Sequence, residues 1–180
     1  MIALNSYVKP SDVYASIGSE IKNTTIVIED KIGYTKFHNH NTPKGYELKS
    51  TKESFPTLIF TPTFTKPNCI IFLYGGMLDE LLSGMGELLK MELFPQIICP
   101  TKIVPLNIFP LIEGLKTSKK LIFIEEGSKF GGLSSEIITF LSENDHDFKL
   151  LTRISNESLI PCSKLAELSV VPNSSLIVKK

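Results

Sequence analysis

Glu125 and Glu126 stand side by side at the end of an apolar run, and the turn Gly127-Ser-Lys-Phe-Gly-Gly132 follows them directly. A carboxylate pair suits acid/base chemistry only if both groups reach one substrate proton. Neighbouring strand residues point to opposite faces, so at most one of these two can enter a shared pocket. The other reading of the pair is a carboxylate hydrogen-bonded to backbone amides of the turn. The glycines, followed by a helix beginning at Ser134 or Ser135, can cradle a small anion on free amides. Their spacing matches neither a P-loop nor a dinucleotide fingerprint, and a tight turn that needs glycine for positive φ explains them equally. His38-x-His40 can seed a metal site but has no third ligand at a suitable spacing, and His146 sits in the polar turn Asn144-Asp-His-Asp147. No serine or cysteine carries a nucleophile-elbow motif. No complete active site assembles.

The elements that must position these residues are organised around Cys69-Ile-Ile-Phe-Leu-Tyr74, an unbroken apolar run that suits a strand covered on both faces. Gly75 and Gly76 end it. Leu78, Leu81, Leu82, Met85, Leu88 and Leu89 then fall at helical spacing, with Leu81 and Leu82 expected to be well buried. Further along, Gln96–Cys99, Leu121–Glu126 and Phe148–Arg153 read as strands, and helices are expected from Asn107, from Ser134 or Ser135, and from Asn173. Before the organising strand, Ser11–Ile21 reads as a helix and Thr24–Glu29 as a β-branched strand. Asp30–Lys52 is polar and aperiodic, the pattern of a linker or loop. Phe55–Pro62 is a strand bracketed by prolines, which places it at a sheet edge. Alternating strands and helices predict an α/β fold of three layers, α/β/α, with a mostly parallel sheet. In such sheets ligands collect beyond the carboxyl ends of the strands. The candidate edge pocket is therefore Gly75, Gly76, Glu126, Gly127, Gly131, Gly132, Ser134 and Ser135.

Composition narrows the partners. The chain has 180 residues, 42% of them hydrophobic, enough for a full core. Nineteen basic and nineteen acidic residues leave no net charge, which gives no footprint for nucleic acid or an anionic membrane. No apolar run is long enough to span a bilayer, and Met1–Pro10 lacks the pattern of a signal peptide, so the expected setting is the cytoplasm. Cys69 and Cys99 lie in apolar runs and Cys162 stands alone in a loop, as buried or isolated reduced thiols would.

Several stretches together carry a family resemblance. Thr25–Tyr34 (Thr-Ile-Val-Ile-Glu-Asp-Lys-Ile-Gly-Tyr), Cys69–Met77, Pro100–Leu106, Ile124–Gly127, Phe130–Glu136 and Ile160-Pro161 follow one another as landmarks of a single pattern. It resembles the final section of the beta subunit of thiamine-diphosphate-dependent 2-oxoacid dehydrogenases, the transketolase C-terminal domain. The resemblance implies a five-stranded sheet in the order 1-3-2-4-5, with the first strand antiparallel and at an edge. It implies that residues 1–34 are the last helix and strand of a preceding pyrimidine-binding domain, 35–54 a linker and 55–180 the C-terminal domain. In the family, the diphosphate of the cofactor and its magnesium ion bind a Gly-Asp-Gly motif, and a glutamate of the pyrimidine-binding domain activates the aminopyrimidine. This sequence has no Gly-Asp-Gly. No catalytic, cofactor or metal residue is therefore carried over to any position, and thiamine diphosphate and magnesium are expected only in the parent enzyme.

The implied role is an assembly domain that meets other subunits of the dehydrogenase, and the acyltransferase core, and is inactive alone. Three other readings stay open: a free-standing α/β domain that binds an anion or nucleotide at Gly127–Ser135, the equivalent domain of a transketolase, and a Thr25–Ile28 edge that either lies against its own domain as an added edge or pairs with a neighbouring copy to make a homodimer.

Overall fold

A computed structural model of the chain describes residues 1–31, 34 and 41–179. Its elements run β1 (Ile2–Ala3), α1 (Pro10–Glu20), β2 (Val27–Ile28), β3 (Tyr46–Ser50), β4 (Thr57–Pro62), β5 (Cys69–Leu73), α2 (Met77–Lys90), β6 (Pro95–Pro100), α3 (Phe109–Leu115), β7 (Lys120–Ser128), α4 (Leu133–Glu143), β8 (Lys149–Asn156), α5 (Lys164–Val170) and α6 (Ser174–Lys179). The main sheet has the order β3-β4-β6-β5-β7-β8. From β4 onward this is the order 1-3-2-4-5, with β4 antiparallel to β6 and the remaining neighbours parallel.

β5 is buried at every position, as its apolar run requires of a strand covered on both faces. Its side chains alternate between two cores. Cys69, Ile71 and Leu73 meet Leu78, Leu81, Met85 and Leu88 of α2, with Val13 of α1 and Ile177 of α6 in the same cluster. Ile70 and Phe72 meet Leu111 and Leu115 of α3 and Ile137 and Leu141 of α4 on the other side. The helical stripe of α2 thus lies back on the sheet as its spacing predicts. The burial is uneven, however: Leu81 is fully buried, whereas Leu82 is only half-buried at the margin of the core.

The sheet is also one strand wider than expected. Tyr46–Ser50, within the stretch read as a linker, pairs antiparallel with β4, so β3 and not the proline-bracketed β4 forms the edge. The two prolines fit an inner strand because they lie outside or at the end of the ladder: Pro56 precedes β4 and Pro62 ends it. A helix was also missed, α5, which Ser163 caps by accepting from the Ala166 amide at 3.4 Å. The start of α1 differs as well. It begins at Pro10, and no side chain caps it, although Ser11 was expected to.

β1 and β2 form a separate two-stranded parallel sheet joined by α1, with Ile2 opposite Val27 and Ala3 opposite Ile28. Of the stretch Thr24–Glu29 only Val27 and Ile28 are strand. This unit is not detached. Ile2 and Ala3 are buried, and Ala3 donates its amide to Thr101 O at 2.8 Å.

Truncating a fully buried leucine costs about 2 to 5 kcal/mol, so Leu81→Ala should lower the unfolding free energy by that amount in urea titrations. Leu82→Ala should cost about 1 kcal/mol, the ordinary value for a substitution at a partly covered position. Equal costs at the two positions would contradict the packing of α2.

Candidate functional site

Glu125 ends the buried part of β7 and is itself only 2% exposed, so its carboxylate must find partners inside the protein. Oε2 accepts from the Ser134 amide at 3.3 Å, and Oε1 accepts from the Ser134 hydroxyl. Arg153, the only arginine in the sequence, approaches Oε1 through Nη2 at 3.5 Å. The same guanidinium donates from Nε to Ser134 Oγ at 2.8 Å, from Nη2 to Ser135 Oγ at 2.8 Å, and to Lys129 O. A helix start offers free amides that favour an anion. At α4 that anion is the protein's own Glu125.

The glycines of the turn serve this arrangement. A Cβ at Gly132 would lie 2.8 Å from both carboxylate oxygens of Glu125, so no larger residue fits there. Gly131 has φ of +70°, the left-handed region that glycine enters without penalty. Of the sequence-predicted residues, the structure brings Gly132, Ser134 and Ser135 together around Glu125. Gly127 lies beside the Tyr74 hydroxyl, and Gly131 faces open space. Burial, reinforced by the charges of Glu125 and Glu126, pushes the Tyr74 phenol up to about 12.

Gly75 and Gly76 belong to a second part of the edge. Gly75, with φ of +61°, packs beneath Leu4 O and the Ala3 side chain. A Cβ at Gly76 would fall 2.9 Å from Asp30 Oδ2, which places the Asp30 carboxylate over the start of α2. The ends of β5 and β6 are covered by the N-terminal strand. Besides the Ala3 bond, Asn5 Nδ2 donates to the buried Thr101 Oγ1 at 3.4 Å, and Ser6 Oγ bonds Asp79 of α2.

Glu126 points the opposite way from Glu125, as the strand alternation requires. With Asp30, Gly76, Glu80, Glu167 and Leu168 it lines a pocket of about 100 Å³. Desolvation, then the charges of Asp30 and Glu167, raise its carboxyl above the usual range. Glu80 is committed, accepting the Ser174 amide at 3.0 Å. Among the described residues no group of His, Cys, Asp or Glu is arranged to hold a metal ion. His38 and His40 lie outside the described residues. His146, expected in solvent, is half-buried and stacks on Phe140. Cys69 and Cys99 are buried free thiols, Cys162 is exposed, and burial raises Cys69 to about 11. Sequence reasoning missed Arg153 and Asp30. Arg153 was visible as the single guanidinium in a chain otherwise rich in lysine, at the end of the last strand read.

The family model for the transketolase C-terminal domain matches residues 64–167, more than half of the chain. The chain belongs to the transketolase C-terminal domain family. Among its relatives, the pyruvate dehydrogenase E1 component subunit beta of Gracilaria tenuistipitata var. liui is 29% identical over 91 residues. The match covers 49% of this chain and 28% of that subunit. A split gene transketolase, solved as an inactive beta4 tetramer, superposes with a TM-score of 0.56 at 17% identity, over 64% of this chain and 38% of that one. This last likeness shows the fold alone. The transketolase C-terminal domain described here thus spans well under half the length of the relatives it matches.

In this domain the Glu125 to Arg153 pair should behave as a buried ion pair. Removing one partner strands the other, so Arg153→Ala should cost about 3 to 5 kcal/mol in chemical unfolding. The double variant Glu125→Gln, Arg153→Met should cost less than that single change. Glu126 has the opposite character. Its folded pKa is raised, so its contribution to stability is present below the unfolded pKa and is lost as pH rises through the folded one. Glu126→Gln should therefore gain stability over the parent near neutral pH, and the gain should vanish in acid. A gain independent of pH would show that charge is not the cause.

Proposed function

We propose that this chain is the C-terminal assembly and subunit-contact domain of a thiamine-diphosphate-dependent 2-oxoacid dehydrogenase, acting in the cytoplasm and inactive alone. The observation that carries this reading is that the protein's own groups occupy the carboxyl edge of the sheet and leave there a small acidic pocket beside Glu126. Where an α/β sheet usually admits a ligand, Glu125 fills the start of α4, Asp30 lies over the start of α2, and Ala3 and Asn5 bond Thr101. These residues do not fit thiamine diphosphate and its metal ion: two carboxylates stand where a diphosphate would need amides or cations. In the proposed parent enzyme the cofactor is held by other domains, and oxidative decarboxylation of the 2-oxoacid occurs there.

The parallel β1-α1-β2 unit supports the related reading that residues 1–34 are the end of a preceding pyrimidine-binding domain. The similarity to a pyruvate dehydrogenase E1 beta subunit supports partner subunits of the dehydrogenase type, and the family resemblance of the sequence adds an acyltransferase core to the proposed partners. Equivalence to a transketolase domain is the second reading, which the match to the transketolase C-terminal domain model supports equally. An anion at Gly127–Ser135 would have to displace the Glu125 carboxylate. No helix among the described residues is long and apolar enough to cross a membrane.

Two measurements test the proposal. Isothermal titration of the chain with thiamine diphosphate and magnesium should show no saturable binding, and micromolar binding would overturn the reading. The tagged chain, recovered from its source cells, should carry with it a 2-oxoacid-dependent, thiamine-diphosphate-stimulated reduction of an electron acceptor.

A further inference from the structure

Among the described residues the small parallel sheet of β1 and β2 has one open edge. β1 is engaged on both sides, since Ile2 N donates to Ile26 O at 2.9 Å on one side and Ala3 N donates to Thr101 O at 2.8 Å on the other. Leu4 N donates to Ile28 O at 3.0 Å, so the backbone groups of Ile26 and Ile28 face β1. Successive residues of a strand alternate in the direction of their N–H and C=O groups, so those of Val27 face away. Among the described residues they have no backbone partner. The side chains of Ile26 and Ile28 share one face beside this edge and are 58% and 37% exposed. Such an edge recruits another strand unless charge or proline blunts it. The β3 edge of the main sheet is blunted by the exposed Glu47–Lys49 ion pair at 3.2 Å, whereas Thr24–Ile28 contains neither charge nor proline.

We propose that β2 pairs with β2 of a second copy of this chain, antiparallel and about a two-fold axis at Val27. The inference concerns the chain as given and stands on the edge itself; in the parent enzyme of the proposed function, strands of a preceding domain would compete for the same edge. One register satisfies the backbone and the side chains together. With Val27 opposite its own copy, the two Val27 residues exchange both outward hydrogen bonds, and Thr25 and Glu29 of the partner do the same one step out. Ile26 then faces the copy's Ile28 at each of the closer, non-hydrogen-bonded positions, and the exposed isoleucines cover one another. Thr24 meets Asp30 at the ends of the pairing, so no charge opposes its like. A slip of one residue would aim the backbone of Ile26, already used by β1, at the partner. The product is a four-stranded sheet, β1-β2-β2-β1, with isologous contacts.

The test uses the full chain. Sedimentation should show a dimer at micromolar concentration. Val27→Pro removes an outward N–H that β1 does not use, and a proline at such an edge position is tolerated. It should weaken dimerisation by at least about a hundredfold, the loss of roughly 3 kcal/mol, with an unchanged circular dichroism spectrum. Should that variant misfold, cross-linking gives an independent answer. In a Cys162→Ser background the double variant Ile26→Cys, Ile28→Cys should form disulfide-linked dimers, because facing residues at non-hydrogen-bonded positions lie about 4.5 Å apart at Cα. Either single cysteine variant should stay unlinked. A monomeric parent chain, which would leave the edge for a strand of a different chain, overturns the proposal. So does a dimer that survives Val27→Pro, or single variants that link as readily as the double.

Discussion

A carboxylate withdrawn from water at the end of β7 constrains the whole carboxyl edge. A buried carboxylate needs hydrogen-bond donors, and the fold supplies them to Glu125 from α4 and β8 at once. That requirement explains the glycine at 132, the serines at 134 and 135, and the single arginine on β8. It also ties the turn after β7 to the last strand: Lys129 N bonds Asn156 O at 2.8 Å, and Asn156 Nδ2 returns a bond to Glu126 O at 2.5 Å. A helix start that elsewhere in α/β proteins receives a ligand phosphate is used here to hold the sheet to its own connection.

The same principle operates at α2. Asp30, just after β2, lies over Gly76, and the neighbouring strand β1 runs across the ends of β5 and β6. Internal groups thus meet hydrogen-bonding and electrostatic demands on both sides of the switch point between β5 and β7. What the described residues leave available to other molecules is the outer surface, the strand edges and the small acidic pocket beside Glu126. Phe130, Leu159 and Leu165, each more than four-fifths exposed, crowd the loops and the short helix beyond the carboxyl ends of β7 and β8.

Much of the fold was legible in the sequence where burial dictated residue type. β5 was readable because a strand covered on both faces must be apolar throughout, and α2 because one face alone must be. β3 escaped because Tyr-Glu-Leu-Lys-Ser buries only Tyr46 fully and owes its strand form to pairing with β4, a long-range contact with no local signature. The over-prediction of Leu82 has a related cause, since it lies at the margin of the stripe, where helical spacing alone does not separate full from partial burial. At the edge, the glycine turn and both serines were legible as a helix start able to accept an anion. The identity of that anion was not, because Glu125 and Arg153 come together only through the pairing of β7 with β8.

The central claim is that the protein's own carboxylates fill the helix starts at the carboxyl edge. Amide chemical shifts of Gly132, Ser134, Ser135, Met77 and Leu78, followed by NMR while pyrophosphate is added at constant ionic strength, test it most directly. The account predicts no saturable change at any of these amides in the parent chain, and saturable shifts at Ser134 and Ser135 would contradict it.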